Sequence, residues 1–254
     1  MGGSPVADDL SLAHGNLCFA GDTTADDDDP FAREAHRQFR QLVLAPDFPC
    51  LGAKAAFNDE TYAFAVYPEL GSEEATAGLC RDLCEFRQIK DKITGENRYA
   101  TFVAVFRGPL GLDEAQFEEL LWRQLRQLHC ADVCEWDRNV SADPEDPQFS
   151  FSFAGQAFYI VGMHANSSRV ARRFPWPALI FNPHEQFERL RADGKWKRMQ
   201  EAIRARDVAL QGSVNPMLSD FGEESEARQY SGRAVERDWA APFPNAKERC
   251  PFAG

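Results

Sequence analysis

The chain has 254 residues, 44% of them hydrophobic, and a formal net charge of −12 at pH 7. This hydrophobic content is enough to fill a substantial core. The net negative charge repels polyphosphate and provides no basic surface for it to bind, so we expect no nucleic-acid partner. No apolar stretch reaches about 18 residues and the N-terminus lacks a signal-peptide pattern, which predicts a cytoplasmic protein with no membrane partner. Seven scattered cysteines in a chain of this size favour reduced thiols over a disulfide framework.

Gly, Ser and Asp dominate residues 1–25, which we therefore interpret as a mobile leader. No low-complexity linker divides the remainder, so 26–254 is interpreted as a single domain. The acidic run 26–29 precedes a periodic segment and predicts the N-terminus of a helix over 30–44. Proline and glycine then predict an irregular connection over 46–52.

The rest of the chain alternates between strand-like and helix-like patterns. Segments rich in β-branched and aromatic residues predict strands over 61–67, 99–107, 151–162 and 177–181. Helical periodicity predicts helices over 72–89, 112–129, 184–191 and 201–210. A polar surface loop is expected over 139–148 and a long irregular segment after 211. Strands separated by helices predict an α+β fold, with a central β-sheet on which the helices pack.

The densest group of polar side chains follows the third predicted strand. His164 stands at the strand end, and Arg169, Arg172 and Arg173 follow it. Imidazole offers a lone pair to a metal and guanidinium offers a bidentate fork to carboxylates, so this pattern is typical of a metal or anion site. A solvated basic loop is the alternative interpretation.

A second polar group lies where the fourth predicted strand meets a helix. His184 would lie near the helix start. The alternative interpretation is structural: Asn182 caps the helix, Pro183 takes its first position and His184 covers the first turn.

The segment after residue 211 mixes charged and aromatic side chains. Irregular segments of this length are frequently functional, and an ordered one can cover a pocket. Its acidic groups are available to a cationic substrate, and Arg228 or Arg233 to an anionic one. A segment wrapped on the surface is the alternative.

Two pairs of cysteines share a four-residue step, Cys80 with Cys84 and Cys130 with Cys134. On a helix this step places both sulfurs on one face. A four-thiolate metal site is one interpretation, although packing is the more usual origin of such pairs. Cys50 lies between turn residues, and it is either a thiolate ligand or nucleophile or a packed apolar thiol.

Together these motifs resemble the YqcI/YcgG family. The resemblance covers most of the chain after about residue 48. The segments that carry it are 48–53, 162–164, 167–169, 171–175, 181–187, 190–191, 210–213, 215–216, 225–232, 239 and 242–243.

Membership of this family implies a haem-dependent N-hydroxylase, a monooxygenase acting on arginine or a related guanidino or amino compound. The implied cofactor is haem b, with an electron donor or peroxide as co-reactant. His164 is the first choice as the iron ligand, His184 is the second and could instead act on the open face, and Cys50 is the third. A haem-binding sensor or carrier without turnover is the alternative, and a non-haem metal or thiol protein is a third hypothesis.

The same resemblance implies roles for the polar residues around the haem. The residues that would hold the propionates are Arg169, Arg172 and Arg173. Those that would pair with the guanidinium or amine are Glu223, Glu224 and Glu226. Ser213 and Asn215 would fix the polar end of the small-molecule substrate. A homodimer is compatible with this interpretation.

Overall fold

The computed structural model of the protein describes residues 18–19, 29–94 and 99–244. The strands are β1 (Cys18–Phe19), β2 (Tyr62–Glu69), β3 (Thr101–Gly108), β4 (Phe151–Phe153), β5 (Gln156–Met163) and β6 (Ala178–Pro183). The helices are α1 (Pro30–Leu44), α2 (Leu51–Asn58), α3 (Glu73–Thr94), α4 (Glu114–Ala131), α5 (Glu185–Ala192) and α6 (Trp196–Gln211). This arrangement confirms the predicted α+β fold.

The six strands form one mixed sheet in the order β1-β2-β3-β6-β5-β4. β2 and β3 are parallel, and α3 connects them. Every other neighbouring pair is antiparallel. Such a sheet buries both faces only when helices cover each of them, which is the arrangement found here.

Alternate side chains of each central strand enter two separate cores. On β3, Phe102 and Ala104 join the core under α3 and α4, whereas Val103 and Val105 join the core under α1. The strand burial is continuous over Thr101–Phe106, as expected for a strand covered on both faces. The sheet therefore separates two helical layers, and a side chain's position in the alternation decides which layer it meets.

Most predicted elements lie within a few residues of their observed bounds. The helix over 30–44 coincides with α1, and Asp29 caps it by accepting a hydrogen bond from Phe31 N at 3.0 Å. The predicted strand over 151–162 is instead the hairpin of β4 and β5, because Ala154 and Gly155 both adopt positive φ and turn the chain.

The irregular connection predicted over 46–52 was wrong in its last part, where α2 begins. Pro46 and Pro49 precede the N-cap residue Cys50, so neither proline removes a hydrogen bond from the helix. The Ala-rich sequence that follows is a good helix former. Gly52 lies inside the first turn, where an added Cβ would make ordinary van der Waals contact with Tyr99 at 3.6 Å.

The cysteines are arranged differently from the predicted four-thiolate pattern. Cys80 and Cys84 lie on α3, but Cys134 lies beyond the end of α4, so Cys130 and Cys134 do not share a helix face. Cys130 is disulfide-bonded, whereas Cys50 and these other three are free thiols. The prediction of reduced thiols therefore holds for these four cysteines and fails at Cys130. No group of metal-ligating residues occurs in the described part of the chain.

Of the predicted leader, only Cys18–Phe19 is described, and it pairs with β2 at the sheet edge. The rest of that prediction lies outside the described residues. Among the described helices, none is both long and apolar enough to span a membrane.

Candidate functional site

A cavity of about 280 Å³ lies on the face of the sheet that α1 and α2 cover. Strands β3, β5 and β6 form its floor, and α5, α6 and the segment after residue 211 close the remaining sides. Its volume is near the lower end of the range of roughly 300–1,000 Å³ typical of ligand and cofactor pockets. The walls are mainly aliphatic and aromatic, so the few polar groups that reach the cavity carry the chemistry.

Alternate residues of β5 form part of the cavity floor. Tyr159, Val161 and Met163 all line it. Tyr159 donates a hydrogen bond from Oη to Gln229 Oε1 at 2.8 Å, and burial raises its pKa to about 12. Sequence reasoning missed these three residues, although their two-residue spacing in a predicted strand was a signal that could have found them.

His164 does not line this cavity. It follows Met163 directly, and its ring stacks on Phe117 of α4 with centroids 4.5 Å apart, on the opposite side of the sheet. The side chain is buried, and neither ring nitrogen makes a well-formed hydrogen bond with a described residue. Burial lowers the pKa of His164, and the carboxylate of Glu114 opposes this only in part. The first-choice iron ligand is therefore separated from the other candidates.

The three arginines predicted to hold propionates have different surroundings. Arg169 reaches the cavity but forms a buried ion pair with Asp207 and also donates to Ser213 Oγ at 3.3 Å. Arg173 is exposed and donates to the Ser167 carbonyl oxygen at 2.8 Å. The charge of Arg169 is therefore already paired with a carboxylate, and Arg173 does not line the cavity.

Arg172 lines the cavity and has no carboxylate hydrogen-bonded to it among the described residues. Nη1 donates to the carbonyl oxygens of Gly162 and Tyr230 at 3.0 and 3.1 Å, and Nη2 donates to that of Gln229 at 3.1 Å. Burial lowers its pKa, and the nearby phenol of Tyr159 and thiol of Cys50 oppose that shift. A cation with no bonded anion is thus held in the cavity wall.

Cys50 is the thiol of the cavity. It is the N-cap residue of α2, and its Sγ accepts from Ala53 N at 3.5 Å. Burial raises the pKa of Cys50, while the backbone N–H groups of Ala53 and Gly52 and the charge of Arg172 act in the opposite direction. Helix N-termini and nearby cations stabilise a thiolate, but burial outweighs both here and the thiol form of Cys50 is favoured in the unliganded protein.

His184 and Glu226 meet at another part of the cavity wall. Nε2 of His184 lies 4.0 Å from Oε2 of Glu226, and both side chains are buried. Burial lowers the pKa of His184 and raises that of Glu226 to about 8. His184 takes the N-cap position of α5, whereas Asn182 belongs to β6 and accepts from Thr101 Oγ1, so Asn182 does not cap the helix.

The remaining predicted residues are divided between the cavity and the surface. Glu224 is exposed and lines the cavity, whereas Glu223 lies outside it and accepts from Asp220 N at 3.2 Å. Asn215 lines the cavity, with its Oδ1 accepting from Met217 N. Ser213 is exposed and bonds to Arg169. The structure therefore brings together Cys50, Arg169, Arg172, His184, Asn215, Glu224 and Glu226.

A family model described as the YqcI/YcgG family matches residues 39–244, which include every wall of this cavity. The chain belongs to the YqcI/YcgG family. It is 29% identical to "Uncharacterized protein YcgG" of Bacillus subtilis (strain 168) over 218 residues, covering 82% of each chain. It is 27% identical to "Uncharacterized protein YqcI" of the same strain, covering 81% of this chain and 80% of the relative.

A third relative in the comparison carries a functional name. The Streptomyces lavendulae protein "Putative N(omega)-hydroxy-L-arginine synthase DcsA" is 25% identical over 239 residues, covering 89% of this YqcI/YcgG-family chain and 86% of the relative. No solved structure gives a significant match.

Proposed function

We propose that this YqcI/YcgG-family protein is a haem-dependent monooxygenase that N-hydroxylates a guanidino or amino group of a small molecule such as arginine. The name of the Streptomyces lavendulae relative supports the type of reaction and the arginine-like substrate. The observation that carries the proposal is the cavity, in which the thiol of Cys50 and the guanidinium of Arg172 share an otherwise mainly apolar wall.

These residues fit a haem by their chemistry. A porphyrin needs an apolar enclosure, one axial donor and cations for its propionates, and thiolates and arginines are established partners of this kind. Cys50 would bond the iron, because it lines the cavity at a helix N-terminus and has a cation nearby. Arg172 is the assigned propionate partner, because its charge is not already paired as that of Arg169 is.

The haem would supply the activation of oxygen or peroxide, and with oxygen an electron donor provides the two reducing equivalents. The protein's own residues bind and orient the substrate beside it. Val161, Met163 and Phe57 line the cavity with apolar surface, and a ligand that displaces water there strengthens the electrostatic contacts made inside it. His184 and Glu226 form a buried polar corner in this apolar wall.

The absorption spectrum of the purified protein tests this proposal. We expect a Soret band at near-stoichiometric haem, a shift of that band on adding arginine, and formation of N-hydroxylated product when reductant or peroxide is supplied. Protein that stays colourless after haem supplementation contradicts the proposal. Haem that binds but gives no product and no arginine-induced shift favours a sensor or carrier instead.

Substitution at Cys50 tests the choice of ligand. Cys50→Ala should abolish the thiolate-type spectrum and lower haem retention, because the side chain that would bond iron is removed. His164→Ala is the matched control, since His164 lies on the other side of the sheet. A spectrum unchanged in Cys50→Ala and lost in His164→Ala would return the assignment to His164.

A further inference from the structure

Glu226 is buried in the wall of the cavity, at 4% exposure. It belongs to the short 3-10 turn Glu226–Gln229, and Ser225 caps that turn by accepting from Ala227 N at 3.3 Å. Ser225 also donates to the Pro144 carbonyl oxygen at 2.6 Å. The backbone that carries the carboxylate is therefore held in place on both sides.

The two oxygens of Glu226 are used differently. Oε1 accepts from Ser150 Oγ at 2.7 Å and from Tyr230 Oη at 2.6 Å. Oε2 has no hydrogen-bond donor among the described residues; its contact is with His184 Nε2 at 4.0 Å, beyond hydrogen-bonding distance. One oxygen is fully engaged by the fold, and the other is available to a ligand.

No cation is bonded to this carboxylate in the described part of the chain. Arg191 is the nearby guanidinium, but it forms an ion pair with Glu188 and lies over the ring of Phe221 at 5.4 Å. His184 also packs against Phe221, with centroids 4.5 Å apart. A buried carboxylate is stabilised by a partner that brings positive charge and N–H donors.

We propose that Oε2 of Glu226 accepts the N–H groups of a cationic guanidinium or amine and is the main determinant of substrate charge. The inference rests on the proposed function and deepens it, since it identifies the substrate as a cationic nitrogen compound. The carboxylate discriminates by charge: a neutral ureido group of the same shape can still donate an N–H group, but it carries no positive charge to offset that of the buried carboxylate.

The substitution Glu226→Gln separates this role from a structural one. Glutamine keeps an oxygen that can accept from Ser150 and Tyr230, so the anchoring of the 3-10 turn is retained. It replaces the free oxygen by an N–H₂ group and removes the charge. The matched control is Glu201→Gln, which makes the same chemical change at an exposed position of α6 outside the cavity.

Binding of arginine and of its neutral isostere citrulline, measured by calorimetry, tests the proposal. Wild-type protein should bind arginine at least about tenfold more tightly than citrulline, because a hydrogen bond to a charged group is worth ~1.5–3 kcal/mol. Glu226→Gln should lose this preference, and Glu201→Gln should keep it. Folded Glu226→Gln protein that still prefers arginine to the wild-type degree overturns the proposal.

A second pair of ligands tests the wild-type protein without any substitution, in case the variant does not fold. Methylguanidinium should bind and the equally sized methylurea should not; equal binding, or none of either, overturns the proposal. Recording the Soret band on the same preparation tests haem binding separately from the selection of substrate by charge. Colourless protein that selects arginine removes the haem proposal alone, whereas a haem protein that does not distinguish arginine from citrulline removes this one alone.

Discussion

The ionisable side chains of the cavity differ in whether a residue of opposite charge is already bonded to them. Arg169 is neutralised by Asp207, and Arg172 is held by three carbonyl oxygens that carry no net charge. Glu226 is held by two hydroxyl groups and has one oxygen unbonded. Arg172 and Glu226 therefore retain the capacity to bind an ionic group, of opposite sign at each residue.

Glu226 is expected to make the protein less stable as pH rises from 6.5 to 8. Burial raises its pKa from 4.5 to about 8, so in this window the folded protein holds a proton that the unfolded chain has released. The free energy of unfolding then falls by up to about 1.4 kcal/mol per pH unit. Histidines whose pKa is lowered by burial make the protein more stable as pH rises, but only below pH 6.5, the ordinary pKa of histidine.

Urea unfolding of haem-free protein at several pH values between 6.5 and 8 measures this effect. Wild-type protein should show the downward slope, and Glu226→Gln should not, because glutamine does not titrate. A wild-type stability that is flat or rises with pH over this window would show that Glu226 is ionised in the folded state.

Individual elements are held to the sheet by contacts at their ends as well as by their apolar faces. α1 buries Ala32, Ala35, Phe39 and Val43 at helical spacing. Its N-terminus is tied to the sheet because Asp29, besides capping the helix, forms an ion pair with Arg107 of β3. Since Phe39 and Val43 line the cavity, the placement of α1 sets part of its wall.

Asp29→Ala should destabilise the protein by about 1 kcal/mol, chiefly through loss of the N-cap hydrogen bond. The ion pair with Arg107 is partly exposed and contributes little by itself. Chemical denaturation against the control Asp47→Ala, at an exposed position outside the helices, measures the difference. Equal stability of the two variants would show that the cap does not contribute.

The helix α2 and the hairpin of β4 and β5 mark the limit of prediction at the scale of elements. Proline and glycine are strong signals of a break, but whether they fall before or inside a helix depends on one or two residues, as at Pro49 and Gly52. The turn at Ala154 and Gly155 lies within a stretch of sequence whose residues predict one continuous strand. The long periodic helices α1 and α4 carried stronger signals and were predicted correctly in type and place.

At the scale of the whole molecule, the segment after residue 211 is joined to the sheet through main-chain contacts. Gly162 N donates to the Tyr230 carbonyl oxygen at 2.7 Å, and Arg172 bonds carbonyl oxygens on both segments. A side chain at Gly162 would approach Phe117 and that carbonyl oxygen to under 3 Å. The close approach requires glycine there, and Arg172 links the two segments across it.

Arg172→Lys should destabilise the haem-free protein by roughly 1–3 kcal/mol, because an ammonium cannot reproduce three bonds made in the plane of a guanidinium. Arg173→Lys is the control, since Arg173 is exposed and donates to one carbonyl oxygen; it should change stability by less than about 0.5 kcal/mol. Urea unfolding midpoints measure both. A loss of the same size in the two variants would contradict the linking role of Arg172.

Sequence patterns alone predicted the order and type of most elements, the α+β fold and the resemblance to the family, because these depend on local periodicity and short motifs. They also drew attention to the polar residues of three motifs. They did not determine which of these residues face one cavity. Met163 and His164 are neighbours in sequence, yet alternation at the end of β5 sends one into the cavity and the other against Phe117.

That Cys50, Arg172 and Glu226 line the same cavity became evident only from the folded chain. They lie in three segments separated by long stretches of chain, and their meeting depends on the pairing of β3, β6 and β5 and on the return of the segment after residue 211. Such long-range contacts arise from packing of the whole chain, which no local pattern encodes. The same holds for the contacts that leave Arg172 and Glu226 without an ion-pair partner among the described residues while Arg169 is neutralised by Asp207.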